Sequence, residues 1–412
     1  MGYRPGAMRL RSTHRTANTF TTRVTRDPRE TKMDFDLSEE QRLLKDSVDG
    51  LLKSSYDFEA RKKYRGEKGG YSKDIWNKFA EQGLLGLPFS EEDGGFGAGP
   101  IETMIVMEAL GRNLVVEPYL DTVVLGGGFL RRGSAEQRAA HLPGIIDGSK
   151  TLAFAQLERD SRYDLGDVST SAKKNGAGYV LNGEKFVVGH GDTADTLIVT
   201  ARTAGGQRDA KGVGVFLVPA SAKGVDIRGY ETQDGSRAAD IKLNNVEVGA
   251  DAVIGDAENG LSIVNQVADD ARIALCAEAV GAMEEALKIS VEYIKERKQF
   301  GVAIGSFQAL QHRAADMFTA LETARSMSFL ASMASSFTDL DERAKTVAAA
   351  KVQIGRSARF VGQGGVQLHG GVGVTMEYKI GHYFKRLTMI EQQFGDADFH
   401  LRRVAEAGGI TE

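Results

Sequence analysis

The chain has 412 residues, a net charge of −4, 42% hydrophobic and 26% charged residues, the balance of a soluble globular protein with room for two or three domains. The net charge argues neither for nor against a polyanionic partner, no basic stripe interleaved with aromatics points to nucleic acid, and no apolar run reaches the ~18 residues of a membrane span. Seven histidines without HExxH or Cys-x-x-Cys spacing give no metal site, and the single Cys276, in an apolar helical run, reads as a small buried side chain.

Residues 1–32 are rich in Arg and Thr, poor in acids and without hydrophobic periodicity. They are expected to be a disordered or spurious extension rather than a targeting signal, with Met33 opening like a protein start. Ser38-Glu39-Glu40-Gln41 is a capping box, and Leu43, Leu44, Val48, Leu51 and Leu52 then recur at helical spacing. Helical patterns follow over 72–83, 100–112, 120–131 and 134–141, so 33–147 reads as an N-terminal α-helical domain. The glycine-rich stretch Phe89–Gly97 lacks the strand and acidic residue of a dinucleotide fingerprint and is expected to be a structural turn. From Thr151 the period changes to two. Strands are expected at 151–156, 169–173, 178–181, 185–188, 195–201, 212–218 and 240–246, punctuated by Gly/Asn/Asp turns, as in a β-barrel or sandwich over 148–254. Helical spacing returns over 260–297, 305–336, 341–368 and 378–405, which suggests a four-helix bundle over 255–412.

Two segments of this bundle carry chemistry. Arg297-Lys298-Gln299-Phe300-Gly301 reads as a helix end with Gly301 as its C′ residue; Phe307, Gln308 and Gln311 then open the next helix. About 50 residues on, Gln367-Leu368-His369-Gly370-Gly371 forms a second glycine-rich turn, which lets backbone approach a ligand closely. A guanidinium fork suits a diphosphate, and exposed glycine N–H groups suit anionic oxygen.

Together these segments resemble the acyl-CoA dehydrogenase family, and the resemblance extends over 33–403. It implies an α+β multidomain fold of helical domain, β-barrel or sandwich, and four-helix bundle. It implies FAD as cofactor, with Arg297, Phe300 and Gln308 on its pyrophosphate and adenosine end. Gln367, Gly370 and Gly371 would reach the FAD of a neighbouring subunit. In that family a carboxylate removes the α-proton of an acyl-CoA thioester and the β-hydrogen leaves as hydride to the flavin. The resemblance further implies a homo- or heterotetramer, an electron-transferring flavoprotein as acceptor, and a bacterial cytoplasmic rather than mitochondrial location.

The chain departs from the family at its reactive end. The usual catalytic glutamate is replaced by Gly395, with Asp396 beside it. The alternative glutamate position, before the arginine that matches Arg272, holds Ala271, with Asp270 and Asp269 just upstream. Asp396 is the candidate base and Asp270 the second candidate, each against a reading as a helix-end or turn residue. Arg272 matches an arginine beside the CoA chain, or else serves as a partner for Asp269 or Asp270. Where relatives cradle the flavin ring with hydroxyls and an aromatic, this sequence has Leu157, Val187 and Gly189. Runs such as Gly94-Gly95-Phe96-Gly97 and Phe394-Gly395-Asp396-Ala397-Asp398 look like those of pimeloyl-CoA dehydrogenase small subunits. That likeness implies a dicarboxylyl-CoA substrate and a large dehydrogenase subunit as partner. Three readings stand: a catalytic subunit, a non-catalytic subunit that completes the FAD site of its partner, or a fold turned to other flavin chemistry.

Overall fold

The computed structural model describes residues 37–408, so the expected extension over 1–32 lies outside the described residues. The first helix, α1 (Glu39–Ser55), begins as expected. The Gln41 N–H donates to Ser38 Oγ at 3.2 Å and the Ser38 N–H donates to Gln41 Oε1 at 3.0 Å. A helix not anticipated follows, α2 (Phe58–Arg65), capped by Asp57 but charged on most of its surface, which hides its periodicity. Next come α3 (Lys73–Glu81) and α4 (Pro100–Asn113), joined by the Phe89–Gly97 segment, a run of turns. The helix expected over 120–131 is instead a π-helical stretch, Leu120–Gly126, leading into α5 (Gly127–Leu130). Then α6 (Ala135–Ile146) runs on past Pro143, beyond the expected end.

Seven strands form one sheet: β1 (Leu152–Ala155), β2 (Ser171–Asn175), β3 (Gly178–Gly189), β4 (Thr196–Arg202), β5 (Val213–Pro219), β6 (Val225–Glu231) and β7 (Arg237–Val248). The path is β1-β4-β2-β3-β7-β6, with β5 on β4. The two strands expected at 178–181 and 185–188 are one, β3, whose pairing with β7 shifts register between Leu181 and Gly183 and again between Lys185 and Val188. Such irregularities re-aim side chains, and the second one turns Val187, at φ 49°, out of the ladder. Strand β6 was not anticipated, because its Asp226, Arg228 and Glu231 break the apolar alternation, as charges on an edge strand do.

The remaining helices are α7 (Leu261–Glu296), α8 (Gln308–Ala334), α9 (Leu340–His369), α10 (Lys379–Gln392) and α11 (Ala397–Glu406). The long helix expected over 378–405 is therefore broken. Phe394 and Gly395 adopt φ of 56° and 112°, and Asp396 caps the continuation. Gly301 is not a helix C′ residue. Helix α7 ends at Glu296, and Phe300-Gly301, both at positive φ, form the two-residue turn of a hairpin between β8 (Lys298–Gln299) and β9 (Val302–Ala303).

Helix α7 is the spine of the molecule, with most of its residues buried. Two glycines let α4 lie against it: a Cβ on Gly111 would collide with the Glu278 carbonyl, and one on Gly281 with the Glu108 carbonyl. Cys276 lies buried on the same helix, where burial pushes its thiol up to about 12. No helix among the described residues is long and apolar enough to cross a membrane.

Candidate functional site

A cavity of about 290 Å³ opens where the three stretches of chain meet. One wall is the π-helical turn, through Leu120, Asp121 and Leu125. The sheet and the loop after β1 supply Phe154, Leu157, Phe186, Val187 and Gly189, α10 supplies Arg386 and Met389, and Phe394 follows just past its end. Leu157, Val187 and Gly189 thus stand together on the wall, and none offers a hydroxyl or aromatic face. Glu158 pins that wall. Its carboxylate accepts from the Ser169 N–H (2.7 Å), the Thr170 N–H (3.0 Å) and Lys185 Nζ (2.7 Å). Burial works against the charge, yet Lys185 and these donors hold the Glu158 pKa down to about 2.

The charges deep in the cavity are mostly paired. Arg386 donates from Nε to Glu278 Oε1 (2.5 Å), from Nη2 to Glu278 Oε2 (2.7 Å) and from Nη1 to Asp234 Oδ2 (2.8 Å). Arg237 donates to Asp192 at 3.0 Å. Asp121 has no hydrogen bond to another described side chain. Burial raises its pKa, against the pull of His190 and Arg386. Sequence reasoning missed Asp121 and the Arg386 network; the one charge inside the apolar run Leu120–Leu130 was the available signal.

Each candidate base has a partner outside the cavity. The Asp396 carboxylate caps α11, accepting from the Phe399 N–H at 2.7 Å, and it is not among the cavity-lining residues. The cap engages Oδ1, and the Asp396 carboxylate also helps burial raise the pKa of Tyr163, which lines the cavity. Asp270 faces a different cavity and is held by Arg343 at 2.5 Å. Gly395 is not an open place for a missing carboxylate: a Cβ there would press on the Phe399 ring and stand 2.6 Å from His400 Nε2. Arg272 is buried. Its Nη1 donates to Asp269 Oδ1 (2.6 Å) and its Nε to the Phe394 carbonyl (3.0 Å), so it fixes the backbone next to Gly395 and does not line the cavity.

The two motif segments lie apart from this cavity. Arg297, Gln308, Gln367, Gly370 and Gly371 are all exposed, and Phe300 is 89% exposed at the hairpin tip, edge-on to Phe307. Arg297 makes no ion pair with a described residue, and nothing lies within 4 Å of where a Cβ on Gly370 or Gly371 would stand. The segments are joined through Tyr293, one turn before Arg297, whose ring stacks on His369 at 4.3 Å. None of these residues lines the cavity.

Beside the cavity a smaller one of about 60 Å³ shares Asp121 and Arg386 and is also lined by Glu117. Glu117 accepts from Tyr56 Oη (2.8 Å) and the Ser72 N–H (3.2 Å), and burial raises its pKa to about 7. A carboxyl that keeps its proton longer folded than unfolded contributes stability that is complete below pH ~4.5 and lost as pH rises to about 7. Urea unfolding of Glu117→Gln should therefore lack a decline on the order of 3 kcal/mol that the native chain shows over that window. Parallel pH profiles for the two proteins would refute this.

Family profiles decide what the fold and motifs belong to. The acyl-CoA dehydrogenase N-terminal domain matches residues 38–149, the middle domain 153–246 and the C-terminal domain 258–409. The chain belongs to the acyl-CoA dehydrogenase family. These are oxidoreductases acting on CH–CH groups, with FAD as cofactor. A probable acyl-CoA dehydrogenase of Bacillus subtilis is 32% identical over 386 residues, covering 91% of this chain and 99% of the relative. The caffeyl-CoA reductase–Etf complex subunit CarC of Acetobacterium woodii is 31% identical over 325 residues, 77% of this chain and 85% of that protein. Among solved structures, the ChsE4–ChsE5 complex of Mycobacterium tuberculosis superposes with a TM-score of 0.82 at 28% identity, covering 92% of this chain and all of that one.

Against this family, the dehydrogenase surface around Arg297 and Gly370-Gly371 fits the adenosine diphosphate end of FAD. It offers a free guanidinium, an unobstructed glycine cradle and an exposed aromatic. The ring-sized cavity fits a flat apolar body, but it lacks a hydroxyl from Leu157 or Gly189 and a carboxylate at Gly395.

Proposed function

We propose that this chain is one subunit of a heteromeric FAD-dependent acyl-CoA dehydrogenase, and that it completes the flavin site of a partner subunit. When bound, FAD supplies the two-electron acceptor for the β-hydrogen of the thioester. The contribution of this chain is to grip the nucleotide end. Arg297 meets the diphosphate, Phe300 stacks, Gln308 and Gln367 hydrogen-bond, and Gly370 and Gly371 present backbone N–H groups. The observation that carries the reading is the packing at Gly395, where Phe399 and His400 occupy the space a catalytic side chain would need. Both customary base positions are thus lost, while the tail-gripping residues stand exposed and free. Exposed Phe300, Phe307, Val372, Val374 and Met376 lie on these same segments, as an interface between chains requires.

The similarity to a two-component complex supports a heteromeric assembly, and a tetramer is the proposed form. Similarity to a subunit of an Etf complex supports an electron-transferring flavoprotein as redox partner, and the bacterial cytoplasm is the location proposed. The substrate proposed is a dicarboxylyl-CoA such as pimeloyl-CoA, on the likeness of the runs around Gly94–Gly97 and Phe394–Asp398. Arg162, exposed at the cavity and without an ion pair to a described residue, is the cation available to a distal carboxylate.

Titrating the chain alone with FAD, and then together with the proposed dehydrogenase partner subunit, tests the reading through the visible spectrum. The expected outcome is a colourless isolated chain that acquires protein-bound flavin only with the partner. Stoichiometric flavin on the isolated chain, bleached by an acyl-CoA, would instead make it a self-sufficient dehydrogenase.

A further inference from the structure

A second cavity, of about 440 Å³, lies on the opposite flank of the π-helical turn and shares no lining residue with the flavin-ring cavity. Its size is within the ~300–1,000 Å³ typical of small-molecule sites. Its walls are apolar through Met104 of α4, Val123 and Val124 of the turn, and Ile273 and Ala274 of α7. At one end stand Arg131, Arg132 and Arg343 around a single carboxylate, Asp270.

The geometry leaves these cations under-compensated. Arg343 Nη2 donates to Asp270 Oδ1 at 2.5 Å, Arg132 Nη1 stands 3.3 Å from Asp270 Oδ2 and Arg131 Nη2 stands 3.8 Å from it. One carboxylate thus faces three guanidiniums, and no other acid lines the cavity among the described residues. Arg343 is 5% exposed, yet its Nε has no hydrogen-bond partner. Burial lowers the Arg132 pKa, and the attraction of Asp270 does not restore it.

We propose that this cavity binds a small organic monocarboxylate with a hydrocarbon body. The carboxylate would seat among Arg131, Arg132 and Arg343, where a planar fork meets a planar acceptor. The hydrocarbon would lie against Met104, Val124 and Ile273. An inorganic anion satisfies the charge but leaves the apolar wall wet, and a neutral alkyl chain fills the wall but leaves three guanidiniums sharing one carboxylate. The site is independent of the flavin reading, since the two cavities have separate walls.

Calorimetric titration of the full chain with octanoate, 1-octanol and inorganic phosphate tests this. Octanoate is expected to bind at least tenfold more tightly than either control, with an affinity that saturating acyl-CoA leaves unchanged. Arg132→Met, at a partly exposed position, should weaken octanoate at least tenfold, and Thr103→Trp, which fills the cavity from its half-buried rim, should abolish the heat. Thermal melts without ligand confirm that both variants are folded. Absent octanoate heat, equal binding of phosphate or octanol, displacement by acyl-CoA, or indifference to both substitutions would each overturn the assignment.

Discussion

Arg297→Ala in the assembled enzyme is expected to weaken FAD by about 10- to 150-fold. That is the range set by the ~1.5–3 kcal/mol that a hydrogen bond to a charged group contributes. The guanidinium is exposed and makes no ion pair with a described residue, so the folded chain itself should lose less than ~0.5 kcal/mol. Loss of flavin with an unchanged melting curve is therefore the specific signature. Arg297→Lys should recover only part of the affinity, because an ammonium cannot present the paired donors of the fork. Fluorescence of released FAD after gel filtration reads both variants. Retention at the native level in Arg297→Ala would remove this residue from the cofactor site.

Gly395→Glu, the substitution that restores the family's carboxylate, is expected to damage the chain rather than repair it. The backbone there has φ 112°, a conformation L side chains rarely adopt, and the new Cβ would meet the Phe399 ring and His400 Nε2. Backbone strain and overpacking of this kind each cost ~1–3 kcal/mol, so a loss of roughly 3–5 kcal/mol should appear in denaturant unfolding. The surroundings reinforce the conformation, since Arg272 Nε and His400 Nε2 both sit 3.0 Å from the Phe394 carbonyl. A variant that melts like the native chain and dehydrogenates an acyl-CoA without a partner would show that the position is merely empty.

Much of this molecule is legible in its residue pattern, and the failures have particular causes. The capping box at Ser38–Gln41 and the change of period at Thr151 are local signals, and the helices and strands follow them closely. Strand β6 and helix α2 escape notice because charge masks their alternation. The break at Phe394–Asp396 is marked in the sequence only by a Gly-Asp pair. For the site, the family resemblance marks Arg297 and the Gly370-Gly371 turn, and a helix-end role for Asp396 was legible, while no spacing rule reveals that Arg272 is taken by the Phe394 carbonyl. That contact joins residues more than a hundred positions apart. The Asp121–Arg386 neighbourhood was likewise assembled only by packing the π-helical turn against α10 and the sheet.

The ratio of FAD to polypeptide in the active, gel-filtered assembly is the most direct measurement of whether this chain lends half a flavin site. Absorbance of acid-released flavin against quantitative amino-acid analysis gives it without assumptions about turnover. About one FAD is expected for every two chains, this one and its partner, because a closed assembly repeats each shared site once per pair. One FAD for every chain, with this subunit present in native amount, would contradict it.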